Sequence, residues 1–274
     1  MASHERVEAG ARARLAQLVA QTIDTLAARG VTLPTDVAAY RGESFTVRGS
    51  GPGRRSGPIN AVNAYQQELQ SAYRDWADDL AQEAADEEDE EERRRKIEAA
   101  LAVLAALLID KLHRGMSQAF TDGLGGATIN PAMLAYLAAQ MERVDGLITS
   151  SLIPAIRDKL YRNLMTQDLA IALEAGQGQQ ALYALLDTVT ARVGQYSGEW
   201  WAVYNHIHGA GASGPVAWYL DPNAQHCQDC PRYGSPMGRR YESYEAMLRA
   251  TGGKSPASGV ECGSNCRCEV RRVR

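Results

Sequence analysis

All five cysteines of this chain lie beyond residue 226, as Cys227-x-x-Cys230 and then Cys262-x-x-x-Cys266-x-Cys268. A Cys-x-x-Cys turn aims two sulfurs at one point, and a second cluster supplies the rest of a tetrahedron. Zn²⁺ takes four such ligands at ~2.3 Å and staples a small domain without further chemistry. The segment around these residues is small and polar, too poor in apolar side chains to hold itself by a core, so a metal staple is expected. The spacing leaves open which four of Cys227, Cys230, Cys262, Cys266 and Cys268 bind. His226 adjoins Cys227 and could substitute for a cysteine, though adjacent residues rarely both reach one ion comfortably. A thioredoxin-type redox pair would need a βαβ context that the flanks do not supply. A catalytic zinc would want an open position and a nearby general base, and neither His-Glu-x-x-His nor a deaminase-type His-x-Glu is present. The expected ion is therefore structural.

An odd cysteine count, and a start at Met-Ala-Ser-His-Glu-Arg that does not read as a secretory signal, argue for synthesis in a reducing cytoplasm. The most apolar run, 99–109, is far short of the ~20 residues a membrane span needs. Apolar residues make up 45% of the chain and Phe occurs only twice. With abundant Ala and Leu, this favours packed helices over sandwiches or barrels. The expected fold is mainly α, an elongated helical body carrying a small C-terminal α+β module.

The chain divides into three stretches. Residues 1–59 comprise a helix over 4–29 and a Gly/Pro-rich loop, with room for a short strand near 44–48. Residues 60–208 form the helical body. There Val62, Tyr65, Leu69, Tyr73, Trp76 and Leu80 make one apolar stripe. It leads into seven consecutive acids, Asp86 to Glu92, followed by Arg93-Arg94-Arg95-Lys96. Pairs four apart place acid N-terminal to base, the favourable order at ~0.3–0.5 kcal/mol each. The spacing predicts a solvated helix through this stretch, with an acidic loop between two helices as the alternative. Residues 97–112 are apolar on most faces and should be buried. Helices are then expected over 132–145, 151–174 and 179–208, with Pro154 in a first turn. Residues 209–274 form the cysteine-rich module: a Gly hinge, a strand over 216–220, a helix over 241–250 and a strand over 267–273.

Other features are weaker. Trp200, Trp201, Tyr204, His206 and His208 end the helical body and are expected to pack it against the module. A ligand or base-stacking platform is the alternative. Tyr40-Arg41-Gly42 is a short match to some ADP-ribosyltransferases, but no Glu-x-Glu follows on a suitable strand. No phosphate-binding Gly loop or Ser-His-Asp arrangement is present, so catalysis has no positive support. The net charge of −4 excludes a general polyanion binder. Arg267, Arg271, Arg272 and Arg274 nonetheless make the tail basic.

The C-terminal third resembles the phage Mu F-like minor head protein family, also called the phage head morphogenesis domain. The resemblance rests on Tyr204-Asn205, Gly209, Trp218, Asp221, Cys227-x-x-Cys230, Gly234 and Asn265-Cys266-Arg267-Cys268, across residues 190–272. Where many members carry His before the Cys-Arg-Cys unit, this chain has Cys262, which keeps a soft metal ligand. The resemblance implies a minor structural protein in the virion of a tailed phage. It would bind the portal or the major capsid protein during head assembly and serve DNA delivery. Separately, the C-terminal arginines could contact packaged DNA, and the apolar helices of the body call for partner helices or self-association. A nucleic-acid-binding zinc protein and an ADP-ribosyltransferase-like effector are the alternatives.

Overall fold

The computed structural model describes residues 45–46, 58–85, 87, 89–164, 177–222 and 224–273. The helix expected over 4–29 and the Tyr40-Arg41-Gly42 fragment lie outside them. The fold is mainly helical, with a small three-stranded antiparallel sheet. Among the described residues no helix is long and apolar enough to cross a membrane.

The chain forms two compact units. One takes residues up to Val62, Arg114–Glu142 and Gly198–Arg274; the other takes Asn63–His113 and Arg143–Ser197.

In the second unit, helix α1 (Pro58–Ala85) is followed by helix α2 (Glu90–Leu124), which contributes its residues up to His113. The predicted stripe is the buried face of α1: Leu69 and Tyr73 are fully enclosed, and Tyr65, Trp76 and Leu80 nearly so. Of the three polar tips on this face, Tyr73 Oη donates to the Leu186 carbonyl at 2.8 Å and the other two bond across to α2. Tyr65 Oη donates to the Lys111 carbonyl at 2.9 Å, and Trp76 Nε1 to the Ala100 carbonyl at 2.8 Å. Buried aromatics with polar handles need such partners. On α2 the buried residues are Ile97, Leu101, Leu104, Leu108 and Leu112, at steps of three and four. The other faces are less buried than their apolar composition suggested, and Val103 is 62% exposed.

The acidic run is neither one continuous helix nor a plain loop. Helix α1 stops at Ala85, and Asp89 caps the start of α2 by accepting the Glu92 N–H at 2.9 Å. Glu90, Glu91 and Glu92 then occupy the first turn, where the helix dipole favours negative charge. Of the expected pairs four apart, Glu90–Arg94 forms at 2.6 Å. Arg95 instead meets Glu92, and Lys96 meets Glu87. Arg93 folds back to the Ala84 and Glu87 carbonyls, tying the end of α1 to the start of α2.

Helix α3 (Pro131–Leu147) begins with Asn130 as its cap, its side chain accepting the Met133 N–H, and Pro131 in the first turn. It does not end before Pro154 as expected. A π-helical turn, Ile148–Leu152, carries it directly into α4 (Ile153–Leu164). Pro154 has no N–H for a helical bond and its ring crowds the preceding turn, and a wider local turn accommodates both. Glu98 receives a bidentate pair from Arg157 at 2.8 Å and a third bond from Tyr161, which tie α4 to α2. The helix expected over 179–208 is three: α5 (Gly178–Asp187), α6 (Thr190–Gln195) and α7 (Ser197–Ala210).

The first unit holds the C-terminal part of α2, most of α3, helix α7 and everything after it. A two-residue strand β1 (Phe45–Thr46) pairs with β2 (Thr128–Ile129). Strand β3 (Val216–Tyr219) lies between β4 (Arg239–Tyr241) and β5 (Glu269–Arg272), antiparallel to both. Short helices α8 (Asp229–Tyr233) and α9 (Tyr244–Thr251) complete it. Its core is built from Phe120, Leu134, Leu137, Trp201, Ile207, Trp218, Tyr244 and Val270. Gly209 permits one close approach. A Cβ there would sit 2.3 Å from the Tyr244 ring.

His206 sits in this core, stacked on Tyr136 at 3.6 Å between ring centres and hydrogen-bonded to Tyr244 Oη at 3.1 Å. Burial pulls its pKa from 6.5 down to about 4. The unfolded chain therefore takes up this proton first as pH falls. Stability from the neutral ring is intact above about pH 6.5 and is lost as pH drops toward 4, by about 2 kcal/mol after allowing for partial solvent screening. His206→Phe is expected to flatten the stability profile across that window, read as the difference between variant and wild-type denaturant midpoints. Parallel profiles would contradict this.

Candidate metal centre

The five cysteines converge. Cys227 precedes α8 and Cys230 lies inside it, so one turn presents both sulfurs, 3.6 Å apart. Cys262 precedes a 3₁₀ turn, Gly263–Asn265, closed by the Asn265 N–H to the Cys262 carbonyl and the Cys266 N–H to the Gly263 carbonyl. Gly263 has a φ of +47°, a left-handed conformation for which glycine is suited. The turn brings Cys262 Sγ to 3.2 Å from Cys227 and 3.6 Å from Cys230, and Cys266 Sγ to 3.8 Å from Cys230. Four sulfurs at ~2.3 Å from one centre stand ~3.8 Å apart in a tetrahedron. The trio Cys227, Cys230 and Cys262, at 3.2–3.6 Å, is of that size, and Cys266 adjoins it at Cys230, 3.8 Å away.

Cys268 is the fifth. Its sulfur lies within 4.8 Å of Cys230, receives a bond from the Asp221 amide, and is 3.6 Å from His226 Nδ1. Two sets of side chains, Cys227–Cys230–Cys262 and His226–Cys230–Cys268, thus have ligand atoms within 4.8 Å of one another and share Cys230. Either set could hold a metal ion. His226, a candidate substitute ligand in the sequence, approaches Cys268.

Three bonds, one of them an ion pair, hold the cysteine segments together. Asp229 accepts the Glu261 N–H at 2.9 Å and pairs with Lys254 at 2.8 Å, while Glu261 accepts the Gln228 N–H at 3.1 Å. The Lys254 bond, helped by the Glu261 amide, holds the Asp229 carboxyl below its usual pKa. Asp229 and Glu261 were not singled out in the sequence. Only their position next to Cys230 and Cys262 hinted at the role.

The thiols cannot all ionise without a counter-charge. Hydrogen bonding to Cys266 lowers Cys262 to about 6, and bonding to Cys230 and Cys266 lowers Cys268 strongly. Cys266 is driven far up, first by its bond with Cys230 and then by those with Cys262 and Cys268 and by burial. Cys230 is favoured as thiolate by Cys266, but Cys268, burial and neighbouring charge outweigh this and raise it. A divalent cation would resolve the conflict, because it favours every thiolate at once.

The aromatic residues at the end of the helical body are part of this unit's interior. Trp200, Trp201 and Tyr204 are buried, and the Trp201 and Tyr204 rings stack at 5.4 Å. Trp201 Nε1 donates to the Cys268 carbonyl at 2.7 Å. Asn205 accepts the Val270 N–H at 2.7 Å and donates to the Trp201 carbonyl at 2.9 Å. Helix α7 thereby fixes the backbone that carries Cys268.

The arginine tail is less free than its composition suggested. Arg272 reaches the His208 carbonyl at 3.1 Å and the Gly123 and Leu124 carbonyls at 3.4 and 3.1 Å, at the C-terminus of α2. There the helix dipole and unsatisfied carbonyls favour a cation. Burial lowers its pKa below the usual arginine value. Arg271 pairs with Glu269 and lies 4.5 Å over the Tyr219 ring. Arg272→Ala is expected to destabilise the fold by about 2 kcal/mol, the scale of losing charged hydrogen bonds to enclosed carbonyls. Denaturant unfolding reads this, and a change within 0.5 kcal/mol, the usual surface-mutation range, would contradict it. Arg274 lies outside the described residues.

Comparison with protein-family models, with curated proteins and with solved structures returned no match.

Proposed function

We propose that this chain is a structural protein that acts by binding, with its C-terminal segment stapled by zinc through Cys227, Cys230, Cys262 and Cys266. The observation that carries the reading is the convergence of thiols from two separate segments at sulfur separations of 3.2–3.8 Å. An all-sulfur donor set favours a soft or borderline ion, and a tetrahedral four-thiolate arrangement favours zinc over magnesium, calcium or manganese. Four protein ligands leave no open position for substrate, which fits a staple better than a catalytic ion.

The resemblance to the Mu F-like minor head proteins extends the proposal. On that reading the chain is made in a bacterial host and built into a tailed-phage head, against the portal or the inner capsid. Fold analogy does not itself supply function, so this part rests on the matched residues around Trp218, Asp221 and the cysteines. The test is to purify particles and ask whether the protein copurifies with portal protein. It should be retained in low copy, and removing residues 216–274 should impair particle assembly or infectivity. Full infectivity after that deletion, or no affinity for portal and capsid protein, would contradict the reading.

A further inference from the structure

We infer that the cysteine cluster is a binuclear site, holding two zinc ions that share thiolates rather than one ion with a spare cysteine. This rests on the cysteines being zinc ligands, and goes beyond it in ligand set and stoichiometry. Six donors are present where a single tetrahedral ion uses four. They are not scattered. Cys227, Cys230 and Cys262 form one closed set, and His226, Cys230 and Cys268 form another, with Cys230 in both.

Cys266 stands beside the residue that the two sets share, its sulfur 3.8 Å from Cys230. With Cys230 common to both sets, Cys266 would be the second thiolate that the two ions share. Cys227 and Cys262 would complete one tetrahedron, and Cys268 and His226 the other. Six ligands are the number two four-coordinate ions need when two thiolates are shared.

Charge and chain geometry agree. One divalent ion would leave five close thiolates far from neutral, whereas two bring the cluster near neutrality. Adjacent residues seldom reach one ion together, yet His226 and Cys227 point to different sets, so each would serve its own ion. The Asp221 amide, donating to the Cys268 sulfur, would hold that thiolate oriented toward a metal.

The experiment is zinc stoichiometry of the full chain by native mass spectrometry, with X-ray absorption on the same zinc-loaded sample. Two ions per chain are expected, with a metal–metal distance of about 3.5 Å or less, at the short end for paired metals in proteins. His226→Ala and Cys268→Ser should each fall to one ion and lose that distance. A wild-type protein with one ion overturns the binuclear site but leaves the zinc staple standing; no ion overturns both. Two ions retained in a His226→Ala, Cys268→Ser double variant would place the second ion elsewhere and also overturn the inference. Should the variants fail to fold, the metal–metal distance in the wild type alone decides.

Discussion

Chelation of the metal is expected to melt the cysteine-bearing end of the chain while residues 63–113 and 143–164 keep their protection. Structural zinc in small modules carries roughly 10–16 kcal/mol of apparent binding free energy, most of it folding free energy. Without it, the cluster leaves partly buried thiols whose ionisation demands conflict. The Asp229–Lys254 and Glu261–Gln228 bonds tie the segments together. Such solvent-screened pairs contribute little and cannot substitute. Hydrogen exchange should show loss of protection first in α8, in the 3₁₀ turn and in β5. Cys230→Ser should reproduce the effect, because Cys230 belongs to both ligand sets. The helical unit bonded through Tyr65, Trp76 and the Glu98–Arg157 pair has its own core. Unchanged protection around the cysteines after complete metal removal would contradict the staple.

The second large effect is expected at Trp201. It is 1% exposed, stacks with Tyr204, and gives its indole N–H to the Cys268 carbonyl. Trp201→Ala removes a large buried side chain and a bond that positions a ligand backbone. Truncations of this kind cost about 3–5 kcal/mol. Trp201→Phe keeps most of the apolar volume and loses the donor, so it should cost less, about 1–2 kcal/mol. The alanine variant should also bind zinc more weakly in a chelator competition, because the Cys268 backbone loses its anchor. A stable alanine variant with wild-type zinc affinity would show that α7 does not set the site.

The body and the site were legible in the sequence to different depths. The stripe from Val62 to Leu80 predicted the buried face of α1 residue by residue, because periodicity reports burial directly. The cysteine clusters predicted convergence for a similar reason: thiols crowded into a small polar segment have few other uses. What periodicity could not supply were contacts between distant residues. Arg272 against the end of α2, Trp201 on the Cys268 carbonyl and Asn205 on Val270 each span more than 60 positions. Nothing local marks them. Two local rules were also outweighed. Asp89 acts as a cap where its spacing to Arg93 suggested an ion pair: it satisfies the helix N-terminus, while Arg93 turns to the Ala84 and Glu87 carbonyls. Pro154 takes the first turn of α4 as expected, but no break precedes it, since a π turn joins α3 to α4 and accommodates its missing donor.

The most direct test of the zinc staple is to count metal and reactive thiols in one sample purified without chelator. The account predicts bound zinc and five cysteines that react with a thiol reagent only slowly until a chelator is added, after which all five react at once. A folded protein without metal, whose five thiols react freely from the start, would contradict it.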